Sequence, residues 1–297
     1  MELVWSQAPT VLVRSWRFHS AMGPFVYLCR NGHCESTSFM GLKLAIKKAI
    51  VKTICSPPVA EGIFRRFDGQ IPFRGLVIDT KHPHVPRSVV PRLYWKLYER
   101  AEVDFVSDYL RPDLPAIELG SCLGVVACCV ARKQNDRARL ISVEANPHLR
   151  EVILKNLNRN QVADNVEVMP GAIDYSGEKT AQIVVAQDAV GTHVQRDVNC
   201  EKEQGTETVP AVQLGSLLTE HGIDGDYALV CDIESAEADI ILSGHDALAN
   251  CQQIIMEFHP GMYAAWDTNY ESLRDRILSW GFEIKAIRGD VVCFERS

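Results

Sequence analysis

The sequence predicts an α/β chain: a Rossmann-like, mostly parallel seven-stranded sheet with an antiparallel last strand, preceded by a mixed, partly helical N-terminal extension. Three observations predict it. From residue 111 onward short apolar runs alternate with helical periods, the pattern of a parallel sheet covered on both faces. One of those runs, Ala116–Leu119, enters a glycine turn, Gly120-Ser121-Cys122-Leu123-Gly124. The chain closes on two strand-like runs, Phe282–Ile287 and Val291–Glu295, around Arg288-Gly289-Asp290, which is hairpin chemistry.

The elements follow in order. Residues 1–38 show no clean period. Residues 41–54 set Leu42, Leu44, Ile46, Ala49, Ile50 and Ile54 among Lys43, Lys47, Lys48 and Lys52, an amphipathic helix with a basic face. That face suits water, or an anionic surface such as lipid headgroups or a phosphorylated glycan carrier. Ser56-Pro57-Pro58 is expected to end this helix, and residues 62–80 are mixed, with a strand-like piece at Gly75–Asp79. Leu93–Leu110 reads as one helix, with Leu93, Leu97, Ala101, Phe105 and Tyr109 four apart, closed by Arg111-Pro112. The alternation then runs through strands at Ala116–Leu119, Leu140–Val143, Val166–Met169, Tyr227–Cys231 and Ile254–Phe258. Helical periods lie at Gly124–Arg132, His148–Asn158, Ala236–Leu242 and Tyr270–Trp280, and residues 180–214 read as short strands and loops. The expected organisation is an extension, 1–110, and a ligand-binding domain, 111–297.

Composition narrows the function classes. The 297 residues are 46% hydrophobic and 23% charged, and no apolar run reaches 18 residues, so a globular chain is expected rather than a membrane-spanning one. The net charge of -7 hides an asymmetry: residues 1–112 hold 16 Lys and Arg against 9 Asp and Glu, and the remainder holds 15 against 29. An acidic back half disfavours a nucleic-acid partner, while the basic front suits an anionic contact. The first residues, with Glu2 in place of a basic run, do not read as a signal peptide. The ten cysteines form no C-x-x-C, and Cys29, His33 and Cys34 find no second pair for zinc. Free thiols in a reducing cytoplasm are the expectation, and contact of residues 41–54 with an anionic or membrane surface is the less favoured reading of that face.

The glycine turn carries the chemistry. Gly120 permits the tight turn, and Gly124 is expected to let the next helix start close to a ligand. Glu144 ends the second strand, where an acid can accept bonds from both ribose hydroxyls of a nucleoside. A dinucleotide fingerprint fails, because its second and third glycines fall on Cys122 and Val125. An acid-x-G-x-x-x-G turn is satisfied by Glu118, Gly120 and Gly124, and suits the sulfonium nucleoside S-adenosylmethionine, whose methionine portion an acid can attract.

Ile117–Ala127, Val143-Glu144-Ala145-Asn146-Pro147, Asn156 with Asn160, Ala172 with Gly177, and Cys231-Asp232-Ile233-Glu234-Ser235-Ala236-Glu237 follow one another in the order seen in FkbM-type methyltransferases. The resemblance covers roughly residues 93–297. It implies a class I S-adenosylmethionine-dependent enzyme, and better-known relatives methylate hydroxyls of sugars or polyketides. Ser235 stands where the family's D-x-E-G-x-E usually has Gly, and Gln213-Leu214-Gly215 where T-L-D is common.

The cofactor set is then Glu118, Gly120, Ser121, Gly124, Glu144, Ala145, Asn146 and Ala172, the last two near ribose and adenine by position. For the chemistry, Asp232 can act as general base or orient the acceptor hydroxyl. A divalent cation on Asp232 and Glu234 is a less favoured alternative, and no metal ligand is assigned. Glu234 and Glu237 could also simply complement a helix N-terminus. His259 can relay a proton. His193, Glu237, Tyr263 and Trp266 are the candidate acceptor contacts, the two aromatics as a stacking surface. The reading is an O-methyltransferase acting on a sugar, glycolipid or small natural product. A non-catalytic nucleoside-binding protein and a nucleic-acid methyltransferase are the alternatives; the second lacks an N/D-P-P-Y tetrad.

Overall fold

The computed structural model describes residues 49–185, 193–194 and 205–296. Packing divides the chain between Ala49 and Ile50, and Ile50–Ser297 form one compact unit. Residues 50–54 are helical, with Ile50 and Val51 exposed; the rest of the basic amphipathic segment, 41–48, lies outside the described residues.

The helix before Ser56-Pro57-Pro58 ends there as expected, and Pro57 also begins the next one. Helix α1 (Pro57–Phe67) carries its prolines in the first turn, where their missing N–H costs nothing. A hairpin follows, β1 (Gln70–Phe73) and β2 (Leu76–Asp79). The helix expected over 93–110 is two: α2 (Val89–Tyr94) and α3 (Arg100–Tyr109). Lys96 and Glu99 between them hold left-handed φ angles of 58° and 40°. The apolar spacing crosses this break unchanged, because both helices bury residues in one core that also takes Ile71, Phe73 and Ile78.

From β3 (Ala116–Leu119) the alternation is as expected. The elements are α4 (Val125–Lys133), β4 (Leu140–Glu144), α5 (Arg150–Arg159), β5 (Val166–Pro170), β6 (Ala172–Ile173), β7 (Thr180–Val184), β8 (His193–Val194), β9 (Thr206–Val212), α6 (Leu214–Glu220), β10 (Tyr227–Cys231), α7 (Glu237–Ser243), β11 (Cys251–Glu257), α8 (Tyr270–Ser279), β12 (Phe282–Arg288) and β13 (Val291–Arg296). Seven strands form the main sheet in the order β12-β13-β11-β10-β3-β4-β5. All neighbours from β11 to β5 are parallel, and β13 inserts antiparallel between β11 and β12. This is the Rossmann-like sheet with an antiparallel last strand.

Strands β3, β4 and β10 are buried at every position. Alternate residues feed two cores, one on each face: Ala228 and Val230 on one side, Tyr227, Leu229 and Cys231 on the other. A second sheet, β6-β9-β7-β8, stands apart from the main one. Asn156 and Asn160, on α5, act as a substitute strand for β2. Asp79 N donates to Asn156 Oδ1 at 2.7 Å, and Val77 exchanges two bonds with the Asn160 amide. Asn156 Nδ2 also donates to Leu123 O at 2.9 Å, tying the glycine turn to this clamp. The cysteines among the described residues are free thiols, and none of the described helices is long and apolar enough to cross a membrane.

Candidate active site

The sheet sets its candidate residues side by side by extending its ladder one rung. Gly120 N donates to Val143 O at 2.9 Å, and Asp232 N donates to Leu119 O at 3.0 Å. Glu118, Glu144, Asp232 and Glu257 therefore gather at the carboxyl ends of β3, β4, β10 and β11. Gly120 has φ 88°, and a Cβ there would lie 1.7 Å from the Asp232 carbonyl oxygen, so only glycine lets these strand ends meet. Gly124 differs from the expectation. Its Cβ would press on Ile153 at 3.1 Å, so its smallness serves helix packing between α4 and α5.

Two acids flank the turn. Glu144 is buried, and its two carboxylate oxygens accept Cys122 N and Asn146 N, each at 2.7 Å. Burial raises its pKa, while these backbone donors oppose the rise. Glu118 is 1% exposed. Ser142 Oγ donates to its Oε2 at 2.5 Å, and Ser121 Oγ meets the same Ser142 hydroxyl at 2.5 Å. Its Oε1 is buried with no hydrogen-bond partner, and burial pushes this carboxyl up to about 7. Asn146 is buried, with Oδ1 accepting His148 N at 3.0 Å. Ala172, in β6, packs in a small cluster that also takes Ala145.

Beside Asp232 opens a cavity of about 500 Å³ between the ends of β10 and β11, the α2–α3 break and the β12–β13 turn. Glu99, Glu102, Asp232, Glu234, Glu257 and His259 line it. Tyr98, from the same break, donates its hydroxyl to Cys122 Sγ at 3.2 Å, linking the cavity to the glycine turn. Burial and the crowding of like charges push Asp232 up to about 7, with His259 opposing. Burial and a carboxyl–carboxyl hydrogen bond with Glu102 push Glu257 up to about 10. Burial and the Asp232 charge also raise Glu99. Burial disfavours a charged His259, but Glu237, Asp232 and Glu234 outweigh it and hold the ring up to about 9.

His259 is held firmly. Its Nδ1 and its backbone N both reach Glu237 Oε1 at 3.1 Å, and Tyr263 donates to the same oxygen. Its Nε2 lies 3.5 Å from Asp232 Oδ1 and 3.5 Å from Glu234 Oε2. Glu237 is 0% exposed and Tyr263 is in the core, so both reach the cavity only through His259. Trp266 turns its Nε1–H to Asp239 Oδ1 at 2.7 Å and packs against the same core. The stacking surface expected of Tyr263 and Trp266 is thus absent: a phenol whose oxygen is needed by Glu237 is drawn inward. His193, in β8, pairs with Val184 of β7, and its side chain lies outside the described residues.

The profile of the FkbM methyltransferase domain matches residues 118–284, more than half of the chain. The chain belongs to the FkbM methyltransferase family. It is an S-adenosylmethionine-dependent methyltransferase. No curated protein matches this FkbM chain. Among solved structures it is similar to a methyltransferase from Pyrococcus furiosus, at 13% identity and TM-score 0.40, over 88% of this chain and 99% of that one. It is also similar to Aeropyrum pernix fibrillarin with bound S-adenosyl-L-methionine, at 12% identity and TM-score 0.38, over 66% and 74%. A third is the ribosomal protein L11 methylase of Lactobacillus delbrueckii subsp. bulgaricus, at 10% identity and TM-score 0.38, over 67% and 78%.

Within the FkbM motif, Ser235 adopts φ 87° and Glu234 φ 48°. The backbone keeps the left-handed turn that glycine fits, although this chain places serine there. Sequence reasoning missed Glu99, Glu102 and Glu257. Glu257 had a usable signal, since it stands two residues before His259 at the end of a strand; Glu99 and Glu102 had none.

Proposed function

We propose that this FkbM methyltransferase methylates a hydroxyl of a sugar, a glycolipid or a small natural product. The observation that carries the reading is the cavity beside Asp232, adjoining the glycine turn and holding a carboxylate oxygen, Asp232 Oδ1, that is buried without a hydrogen-bond partner. Bound S-adenosylmethionine supplies an activated methyl group on a sulfonium for in-line displacement.

The residues fit that cofactor. Glu118 Oε1, buried and unpartnered, suits the ammonium of the methionine portion. Glu144 is fixed by two backbone amides, and each of its oxygens keeps a further lone pair for a ribose hydroxyl. Gly120, Ser121 and Gly124 form the turn, and Ala145, Asn146 and Ala172 border the adenine side.

Asp232 takes the acceptor's proton or orients its oxygen. A carboxyl near pH 7 in its titration is matched to that task at neutral pH. Glu237 with Tyr263 positions the imidazole of His259, whose Nε2 faces Asp232 and Glu234. The carboxylate-lined cavity disfavours a polyphosphate acceptor, which supports a small molecule or glycan over a nucleic acid. The basic face of residues 41–54 suits water or, as the second reading, an anionic surface, and the enzyme is assigned to the cytoplasm.

The test is transfer of labelled methyl from S-adenosylmethionine to a panel of sugars, glycolipids, amines and RNA. The reading expects an alkali-stable methyl ether on a hydroxyl acceptor and loss of at least ~100-fold in kcat for Asp232→Asn. Label on RNA alone, or undiminished turnover in Asp232→Asn, contradicts it.

A further inference from the structure

We propose that Asp232, Glu257 and His259 form a divalent-cation site facing the acceptor cavity. The inference rests on reading this cavity as the acceptor site, and it uses a residue, Glu257, that the family motif does not contain. One ligand atom from each of the three lies within 4.8 Å of the other two. For metal–ligand bonds of about 2.1 Å, neighbouring ligands stand roughly 3.0 Å apart in an octahedron and 3.4 Å in a tetrahedron. His259 Nε2 to Asp232 Oδ1, at 3.5 Å, is long for a hydrogen bond and close to those spacings.

Two further observations point the same way. Asp232 Oδ1 is a buried acceptor with no hydrogen-bond partner among the described residues, on a side chain that is 30% exposed and lines the cavity. The far side of the His259 ring is anchored by Glu237, which is wholly buried and accepts from Nδ1 at 3.1 Å. A carboxylate behind an imidazole fixes the tautomer that leaves Nε2 free to ligate, and raises its basicity as a ligand.

Charge also calls for a cation. Glu99, Glu102, Asp232, Glu234 and Glu257 line one cavity. Of the three arginines in its lining, Arg92, Arg100 and Arg288, the last two are ion-paired with Asp104, so the carboxylates still outnumber the cations that face them. Glu102, 5% exposed and on the same cavity wall as Glu257, backs the site as a second carboxyl. One nitrogen and two carboxylates, with open positions toward the cavity, suit Mg²⁺ or Mn²⁺, which keep waters or take hydroxyl oxygens. A hydroxyl-bearing acceptor then has a ligand position waiting beside Asp232.

The test uses the full chain, stripped with chelator and titrated with Mn²⁺, following free Mn²⁺ by electron paramagnetic resonance. The expected result is one Mn²⁺ per chain, with Asp232→Asn and Glu257→Gln each weakening Kd at least tenfold while circular dichroism stays native. Glu283→Gln, on exposed β12, is expected to leave Kd unchanged. If Asp232→Asn does not fold, Glu257→Gln decides alone. Folded wild type with no stoichiometric Mn²⁺, or Glu257→Gln binding as wild type does, overturns the site. S-adenosylmethionine binding is measured by calorimetry on the same samples. Cofactor binding without Mn²⁺ overturns the cation site only; Mn²⁺ binding without cofactor overturns the methyltransferase reading and not the site.

Discussion

Glu118 stores a pH-dependent cost that a single substitution can release. Its carboxyl is 1% exposed, its Oε2 accepts Ser142, and its Oε1 has no partner. Burial moves its pKa from 4.5 up to about 7. An acid with a raised folded pKa binds protons more tightly when folded. Stability is therefore unaffected below about pH 4.5, falls as pH rises through the window to about 7, and is flat above it. At 1.36 kcal/mol per unit, the penalty in the cofactor-free protein reaches about 3 kcal/mol, an upper figure. Glu118→Gln keeps the acceptor for Ser142 and removes the titration. Guanidinium denaturation of both proteins without cofactor, at pH 5 and pH 8, is the assay. The gap in unfolding free energy is expected to move by about 2–3 kcal/mol in favour of Gln between those pH values. The same variant is expected to bind S-adenosylmethionine roughly tenfold more weakly, since it lacks the charge for the ammonium. A gap that does not change with pH refutes the buried, unpartnered carboxylate.

Two other perturbations follow from backbone and clamp. Ser235→Gly relieves a left-handed φ of 87° and is expected to stabilise the protein by about 1 kcal/mol in chemical denaturation, with kcat within about twofold of wild type. Asn156→Ala leaves Asp79 N and Leu123 O without their buried partners and is expected to cost about 2–4 kcal/mol, seen as a lower denaturation midpoint.

The sheet was legible because strands buried on both faces are near-continuous apolar runs: Tyr227–Cys231 is wholly apolar, and Ala116–Leu119 is broken only by Glu118. The glycine turn and Glu144 were legible for the same reason, standing at fixed offsets from such strands. The α2–α3 break was not, since helical spacing persists on either side of Lys96 and Glu99 while φ changes sign only between. That break turns Tyr98 and Glu99 toward the cavity. Pro57-Pro58 marked the end of one helix correctly, but the start of α1 there was not legible, since proline begins a helix as readily as it ends one. Glu102 and Glu257 meet only because α3 packs on β11, a juxtaposition that no local spacing encodes. Glu237 and Tyr263 were named for the acceptor, yet their mutual hydrogen bond draws both into the interior, where they hold His259 instead.

The central claim is that the acid-lined turn binds S-adenosylmethionine beside a separate acceptor cavity. Calorimetric titration of wild type, Glu144→Ala and Asp232→Asn with S-adenosylmethionine tests it most directly. Wild type and Asp232→Asn are expected to bind with Kd values within about threefold, and Glu144→Ala at least ~30-fold more weakly, about 2 kcal/mol. No binding by folded wild type, or equal binding by Glu144→Ala, contradicts it.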